Sequence, residues 1–265
     1  MNKYFSIFKT SLKQESKTYI NTINSVISLY VMIYIFYELW KFIYGGGGGG
    51  TLINGYSIEN MIWYLIVAEL LLYCINTKGV TADFGDDIKS GRIAYKLNKP
   101  YNYFLYQIFF QAGKFIYNLA IMFPAGLVLG IILVGIPANF SILYVLPIIF
   151  SLIMAIFLSC LMYGIIGLLC FWLEETEPFS WIIQKFQMLL GLFFPPEFFP
   201  NWLQPIINYS PIYATMSGPA KLIANFSWQE FLNVSISQIA YSILFFIVGY
   251  AIYKIGTKKV NLYGG

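Results

Sequence analysis

The chain is 265 residues long, 58 % hydrophobic and only 11 % charged, with a formal charge of +4 and a mean hydropathy of +0.68. A water-soluble domain carries roughly 25 % charged residues to solvate its surface, so the composition excludes a soluble fold and points to a membrane protein. No polar block is long enough for a second domain, and the chain reads as an N-terminal segment, 1–19, followed by one membrane domain, 20–265.

No signal peptide is expected, because Met1–Lys17 is polar and basic and lacks an apolar core or small-residue cleavage site. At about 100° per residue, Tyr4, Phe5, Phe8, Leu12 and Tyr19 share one sector. Lys3, Lys9, Lys13 and Lys17 share the opposite one, and Glu15 intrudes on the apolar side. That pattern predicts an amphipathic helix lying in the cytoplasmic interface; a plain basic flank is the simpler alternative.

Helical spans need about 20 mostly apolar residues. Six are predicted: Ile20–Ile43, Ile58–Asn76, Tyr103–Val134, Ile142–Leu173, Trp181–Phe194 and Phe231–Gly256. The third and fourth exceed a bilayer's need and are expected to tilt or to reach into the headgroups, with kinks at Pro124 and Pro147. The fifth is short and ends in a proline cluster. With the N-terminus inside, 13 of the 16 basic residues fall on the cytoplasmic side, so the positive-inside rule places both termini there.

Gly45–Gly50 form a glycine run in the first outer loop that no packing contact requires. It reads as an inserted linker or as a natural flexible loop and carries no function. Cys74, Cys160 and Cys170 fall inside apolar stretches, and no disulfide is expected. The predominance of lysine over arginine (Arg92 alone), with abundant Ile, Asn and Tyr, hints at an AT-rich bacterial genome and hence a cell (inner) membrane.

Ionisable residues within spans are costly and are functional candidates by default. Glu69 lies midway along the second span and Lys114 well inside the third, and the two are expected to pair. Glu38 and Lys41 are expected to pair at the outer end of the first span, and Gly126 and Gly130 to allow close helix approach.

Two loops carry a mechanism. After the second span, acidic residues come first and basic residues last, from Asp83 to Lys99, as suits a short helix's macrodipole; Ser90-Gly91 permits a break and Pro100 ends the element. After the fifth span, Gly191, Pro195-Pro196, Phe199-Pro200, Trp202, Pro211 and Pro219 make a broken stretch. Interrupted backbone at membrane depth survives only where protein or a cavity satisfies it.

The run Asp87-Ile-Lys-Ser-Gly-Arg-Ile, followed by Leu97 and Pro100, resembles a signature of ABC-2-type exporter permeases. The later proline block resembles the same family's second signature, except at Ser210-Pro211-Ile212. The resemblance implies an all-α membrane protein of six transmembrane helices. It implies a cytoplasmic coupling helix between spans two and three, with Asp86, Asp87, Ile88, Lys89, Gly91 and Arg92 contacting an ATPase. It further implies re-entrant helices between spans five and six, with Pro195, Pro196, Phe199, Pro200 and Trp202 forming an outer gate. The chain lacks a G-x-x-x-x-G-K-[ST] phosphate loop and has no histidine, which removes histidine-dependent zinc and serine chemistry.

The expected partners are therefore a separate ABC ATPase subunit, which binds the ATP and Mg, a second permease subunit (identical or paralogous) and lipid. This chain is expected to bind no cofactor, metal or nucleic acid and to be no enzyme by itself. The expected cargo is amphipathic: a peptide, drug or lipid-linked molecule. An ion- or proton-coupled transporter using Glu69 is the alternative, and a non-transporting membrane anchor a third reading.

Overall fold

The computed structural model describes residues 2–45, 51–75, 77–137 and 140–263; the glycine run from position 46 onward lies outside them. Most of the described residues are helical. In chain order the α-helices are α1 (Asn2–Glu15), α2 (Tyr19–Ile43), α3 (Ile58–Cys74), α4 (Thr77–Lys89), α5 (Arg92–Leu97), α6 (Tyr103–Val134), α7 (Val145–Leu168), α8 (Glu177–Gln187), α9 (Gln204–Asn208), α10 (Gly218–Ala224) and α11 (Trp228–Tyr263).

Among the described residues, five helical segments are long and apolar enough to cross a membrane: Lys3–Ile43, Ile58–Lys89, Tyr103–Val134, Ile142–Phe171 and Trp228–Lys259. The predicted fifth span is shorter. The eleven residues of α8 continue into five π-helical residues, Met188–Leu192. Together they rise only about 24 Å, less than the ~30 Å hydrocarbon thickness.

Local chemistry sets the helix ends. Ser57 and Asn102 cap α3 and α6 by accepting from the amides of Asn60 and Leu105, which satisfies amides that have no intrahelical partner. Pro124 lies inside α6 as predicted. Pro147 does not kink α7: it falls in that helix's first turn, where its missing N–H removes no helical hydrogen bond.

The core forms around α3, which is buried from Met61 to Leu71. Apart from Glu69 it is apolar all round, as suits a helix wrapped on every side. Helices α2, α6, α7 and α10 pack against it. Gly126 and Gly130 of α6 approach it closely. A Cβ at Gly130 would stand 2.5 Å from the Trp63 ring, and one at Gly126 would stand 3.2 Å from Ile66 and 3.3 Å from Leu70. By contrast α2 and α11 leave long apolar faces open, including Ile20, Ile27, Tyr34, Ile236, Ile243 and Ile247, as lipid-facing helices do.

Helix α1 runs alongside the first turns of α6, in the same direction. Lys3 Nζ donates to the Pro100 carbonyl (2.6 Å), the Asn102 amide donates to the Tyr4 hydroxyl (3.0 Å), and Ser11 donates to the Phe110 carbonyl. Phe8 and Leu12 close over Gly113, where a Cβ would lie 2.6 Å from the Phe8 carbonyl oxygen. Of the predicted apolar sector, Phe5 and Tyr19 remain exposed.

Candidate functional site

Helix α4 lies antiparallel to the start of α6, and the two are stitched by carboxylates. Asp87, 3 % exposed, accepts from the Tyr103 hydroxyl (2.9 Å), from Gln107 Nε2 (3.0 Å) and from the Lys96 ammonium. Arg92 stands 3.6 Å from its other oxygen. One turn earlier, Asp83 accepts from Gln111 Nε2 (2.7 Å) and from Lys114 Nζ (2.8 Å). Tyr103, Gln107, Gln111 and Lys114 recur at helical spacing on one face of α6, and Asp83 and Asp87 at i, i+4 on α4.

Lys114 therefore pairs with Asp83 and not with Glu69, against the sequence expectation. The reason is height. Glu69 adjoins Leu70, which abuts Gly126, and Lys114 lies ~18 Å further along α6 at 1.5 Å per residue. Glu69 is 1 % exposed and its Oε1 has no hydrogen-bond partner. The Glu38–Lys41 pair does not form either among the described residues; Lys41 lies over the Tyr37 ring, 5.6 Å from its centroid.

The other side of α4 meets α7. Phe84 enters a notch at Gly164 and Gly167, where a Cβ at Gly167 would lie 2.7 Å from Phe84 Cβ, and its ring meets Tyr103 edge-on at 6.0 Å. Helix α4 then breaks at Gly91 (φ +72°), a left-handed conformation that glycine adopts without strain. The reversal sends α5 back with Ile93 buried beneath it.

The predicted contact residues thus divide. Asp87 is buried and holds the elbow's shape. Ile88 is half-buried, and Asp86, Lys89, Gly91 and Arg92 are exposed, joined by Tyr95 and Lys99. The polar stripe on α6 that receives Asp83 and Asp87 went unread in the sequence, although its spacing was visible there.

The proline block occupies the opposite end of the bundle. Pro195 and Pro196 are buried, Phe199 is half-buried, Pro200 is exposed, and Trp202 is 70 % exposed. Phe198 packs on Trp40 of α2 (5.6 Å between centroids) and on Tyr56 (5.8 Å). Tyr64 of α3 donates to the Gly191 carbonyl at 2.7 Å. From Tyr213 to Ala220 the chain is buried against α3, α7 and α11.

Sequence reading missed the charged cluster at this end. Lys221 Nζ lies 2.7 Å from Glu197 Oε1 and 2.9 Å from Glu230 Oε1. Tyr213 donates to the same Glu230 oxygen at 2.5 Å, and Tyr56 donates to Glu197 Oε2 at 3.1 Å. Burial alone would lower the Lys221 pKa, but the two carboxylates outweigh it and hold it above the ordinary 10.5. Burial and then the Glu197 charge push the Tyr56 hydroxyl far up, so it stays a neutral donor. The residues come from positions 56, 197, 213, 221 and 230, and no local spacing announces their convergence.

In comparison with known proteins, a family model described as ABC-2 family transporter protein matches residues 27–264. Comparison with curated proteins returns no match.

Proposed function

This chain belongs to the ABC-2 transporter family, and from that premise we propose that it is the membrane half of an ATP-driven exporter for an amphipathic cargo. The family makes it an integral multi-pass transport subunit that is not itself the ATPase. In the proposed arrangement a separate ATPase subunit binds ATP and Mg and docks on the exposed surface of the α4–α5 elbow. Helix α1 lies at the cytoplasmic surface, and both termini face the cytoplasm of a bacterial cell. The α8–π segment serves as a short sixth span, the Pro195–Trp202 block folds back into the outer leaflet as a gate, and a second permease subunit completes the path.

One observation carries this reading. The exposed residues Asp86, Lys89, Arg92, Tyr95 and Lys99 sit on an elbow whose own carboxylate, Asp87, is buried in hydrogen bonds to α6. A surface patch on such a rigid support transmits force, whereas a patch on a floppy loop would absorb it.

The test is to replace Lys89, Arg92 and Tyr95 together with alanine. We expect loss of the co-purifying ATPase and of ATP-driven transport in vesicles, with the melting temperature unchanged. Full transport by this triple variant would refute the reading.

Glu69 supports a second reading, a proton-coupled transporter, because a buried carboxylate with a free oxygen is an unusual thing to keep at midspan. That reading requires gradient-driven transport without ATP that Glu69→Gln abolishes.

A further inference from the structure

An apolar cavity lies between α6 and α7, toward the end of the bundle that carries the proline block. It is half-open, about 190 Å³ in volume, and its walls offer almost no polar surface. Phe123, Leu127 and Ile131 line it from α6, Val145 and Ile148 from α7, and Trp63 from α3. The α6 residues recur at i, i+4 and i+8, so the cavity runs as a groove for about 12 Å along that helix. From this geometry we propose that the groove holds one acyl chain of a membrane phospholipid, laid along α6. The proposal rests on the protein's place in a membrane and not on the exporter reading.

Neighbouring aromatics give the depth. Tyr144, which precedes Val145, stacks on Phe226 with 4.1 Å between centroids, and Trp228 meets Phe226 edge-on at 5.3 Å. Tyr and Trp collect at the membrane–water interface, and Trp228 is exposed, as that setting requires. The groove starts beside this cluster, at Val145, and descends along α6 to Phe123. Val128, Ile132 and Leu146 beside its mouth are exposed and apolar. The groove therefore opens at the depth of the hydrocarbon, where the surrounding solvent is lipid chain.

Chemistry and shape select the occupant. A buried water needs about two to four polar partners, and Trp63 Nε1 already donates to the Gly135 carbonyl at 3.1 Å. An empty groove forfeits the dispersion contacts of its lining atoms. Its floor is held in place, because the Trp63 ring is set against Gly130, where a Cβ would lie 2.5 Å away. A helix of a second subunit, roughly 10–12 Å across with its side chains, is too wide for so small a volume. The lining carries no charged residue, so the acyl chain is recognised and the headgroup is not.

The test reconstitutes the full-length protein in vesicles of phosphatidylethanolamine and phosphatidylglycerol. These are doped with phosphatidylcholine bearing a diazirine midway along one acyl chain, and photolabelled residues are mapped by peptide mass spectrometry. We expect labelling of Leu127, Ile131 and Ile148 at least fivefold above that of Ile27 on α2 and Ile243 on α11, which are exposed apolar positions outside the groove. The same pattern is expected when phosphatidylglycerol carries the diazirine. Ile131→Trp, at a half-exposed position on the rim, plugs the mouth and should cut labelling of Leu127 and Ile148 at least fivefold, with Ile27 and Ile243 labelled as before. Should that variant disturb the fold, the wild-type ratio alone decides. Groove labelling no stronger than that of Ile27 and Ile243, or unchanged in a folded Ile131→Trp protein, overturns the proposal. So do groove residues that escape the lipid and cross-link to a second copy of the protein instead.

Discussion

The substitution Asp87→Asn separates a carboxylate that shapes the elbow from one that merely decorates it. Asp87 accepts from Tyr103, Gln107 and Lys96 while 3 % exposed. Hydrogen bonds to a charged group contribute about 1.5–3 kcal/mol each, and neutral ones about 0.5–1.5. Unpairing a buried ion pair costs about 3–5 kcal/mol, but the Lys96 side chain is 25 % exposed and regains part of its hydration. Asparagine keeps an acceptor and loses the charge, so the net cost should be about 1.5–3 kcal/mol. Arg92, 62 % exposed and 3.6 Å away, contributes no more than about 1 kcal/mol to the same carboxylate.

Hydrogen exchange on the purified permease reads this difference directly. A cost of that size corresponds to roughly 10- to 150-fold faster exchange where opening is local, confined to α4, α5 and the first turns of α6. Arg92→Ala should change exchange in the same peptides by no more than about fivefold. Equal losses of protection in the two variants, or none in Asp87→Asn, would refute the argument that a buried carboxylate holds the elbow.

Three further outcomes follow from the packing. Gly167→Ala forces a Cβ to 2.7 Å from Phe84 Cβ and should cost about 1–3 kcal/mol by overpacking, seen as a lower melting temperature in detergent. Gly164→Ala, whose Cβ meets Phe84 at 3.7 Å, should melt close to wild type. Glu69→Met removes a buried acceptor that has no partner and should stabilise the chain by about 1–3 kcal/mol; a lower melting temperature would mean that the oxygen is satisfied. The raised pKa of Lys221 means that its ion pairs stabilise the fold fully below its unfolded value of about 10.5 and are lost as pH rises through its folded value. Melting temperature should therefore fall at strongly alkaline pH in wild type and change less in Lys221→Met.

Much of this fold was legible in the sequence because hydropathy and turn chemistry are local signals. The ends of α6 at Tyr103 and Val134 match the predicted span, the break at Gly91 is where Ser90-Gly91 allowed one, and Gly126 and Gly130 seat a neighbouring helix. The failures involve information that only packing supplies. Counting residues from the cytoplasmic side put Glu69 and Lys114 at one depth, because it took the two spans to start at the same level; the structure extends α6 well below the end of α3 and gives Lys114 to Asp83. Asp87 and Arg92 read as one docking motif, yet one is buried and the other exposed, since a motif records neighbours in sequence and not the face each residue presents. The Lys221 cluster joins residues up to 174 positions apart (56 to 230), and nothing local foreshadows it.

The contacts around α4 also decide which parts would move together under the proposed docking. Toward α6 the interface is directional: Asp83 and Asp87 are held by Gln111, Lys114, Tyr103 and Gln107, and any slip along the axis breaks several charged hydrogen bonds at once. Helix α1 is locked to the same stretch of α6 through Lys3, Tyr4, Ser11 and the close approach at Gly113. Toward α7 the interface includes the Phe84 ring set against Gly164 and Gly167. Under the proposed docking, a push on α5 is therefore passed to α1, α4 and the inner half of α6 as one body. Pro124, which removes a hydrogen bond inside α6, marks where that body can flex before α6 reaches the rigid contact of Gly126 and Gly130 with α3. The outer half of α6, seated on a helix buried on all sides, stays with the core.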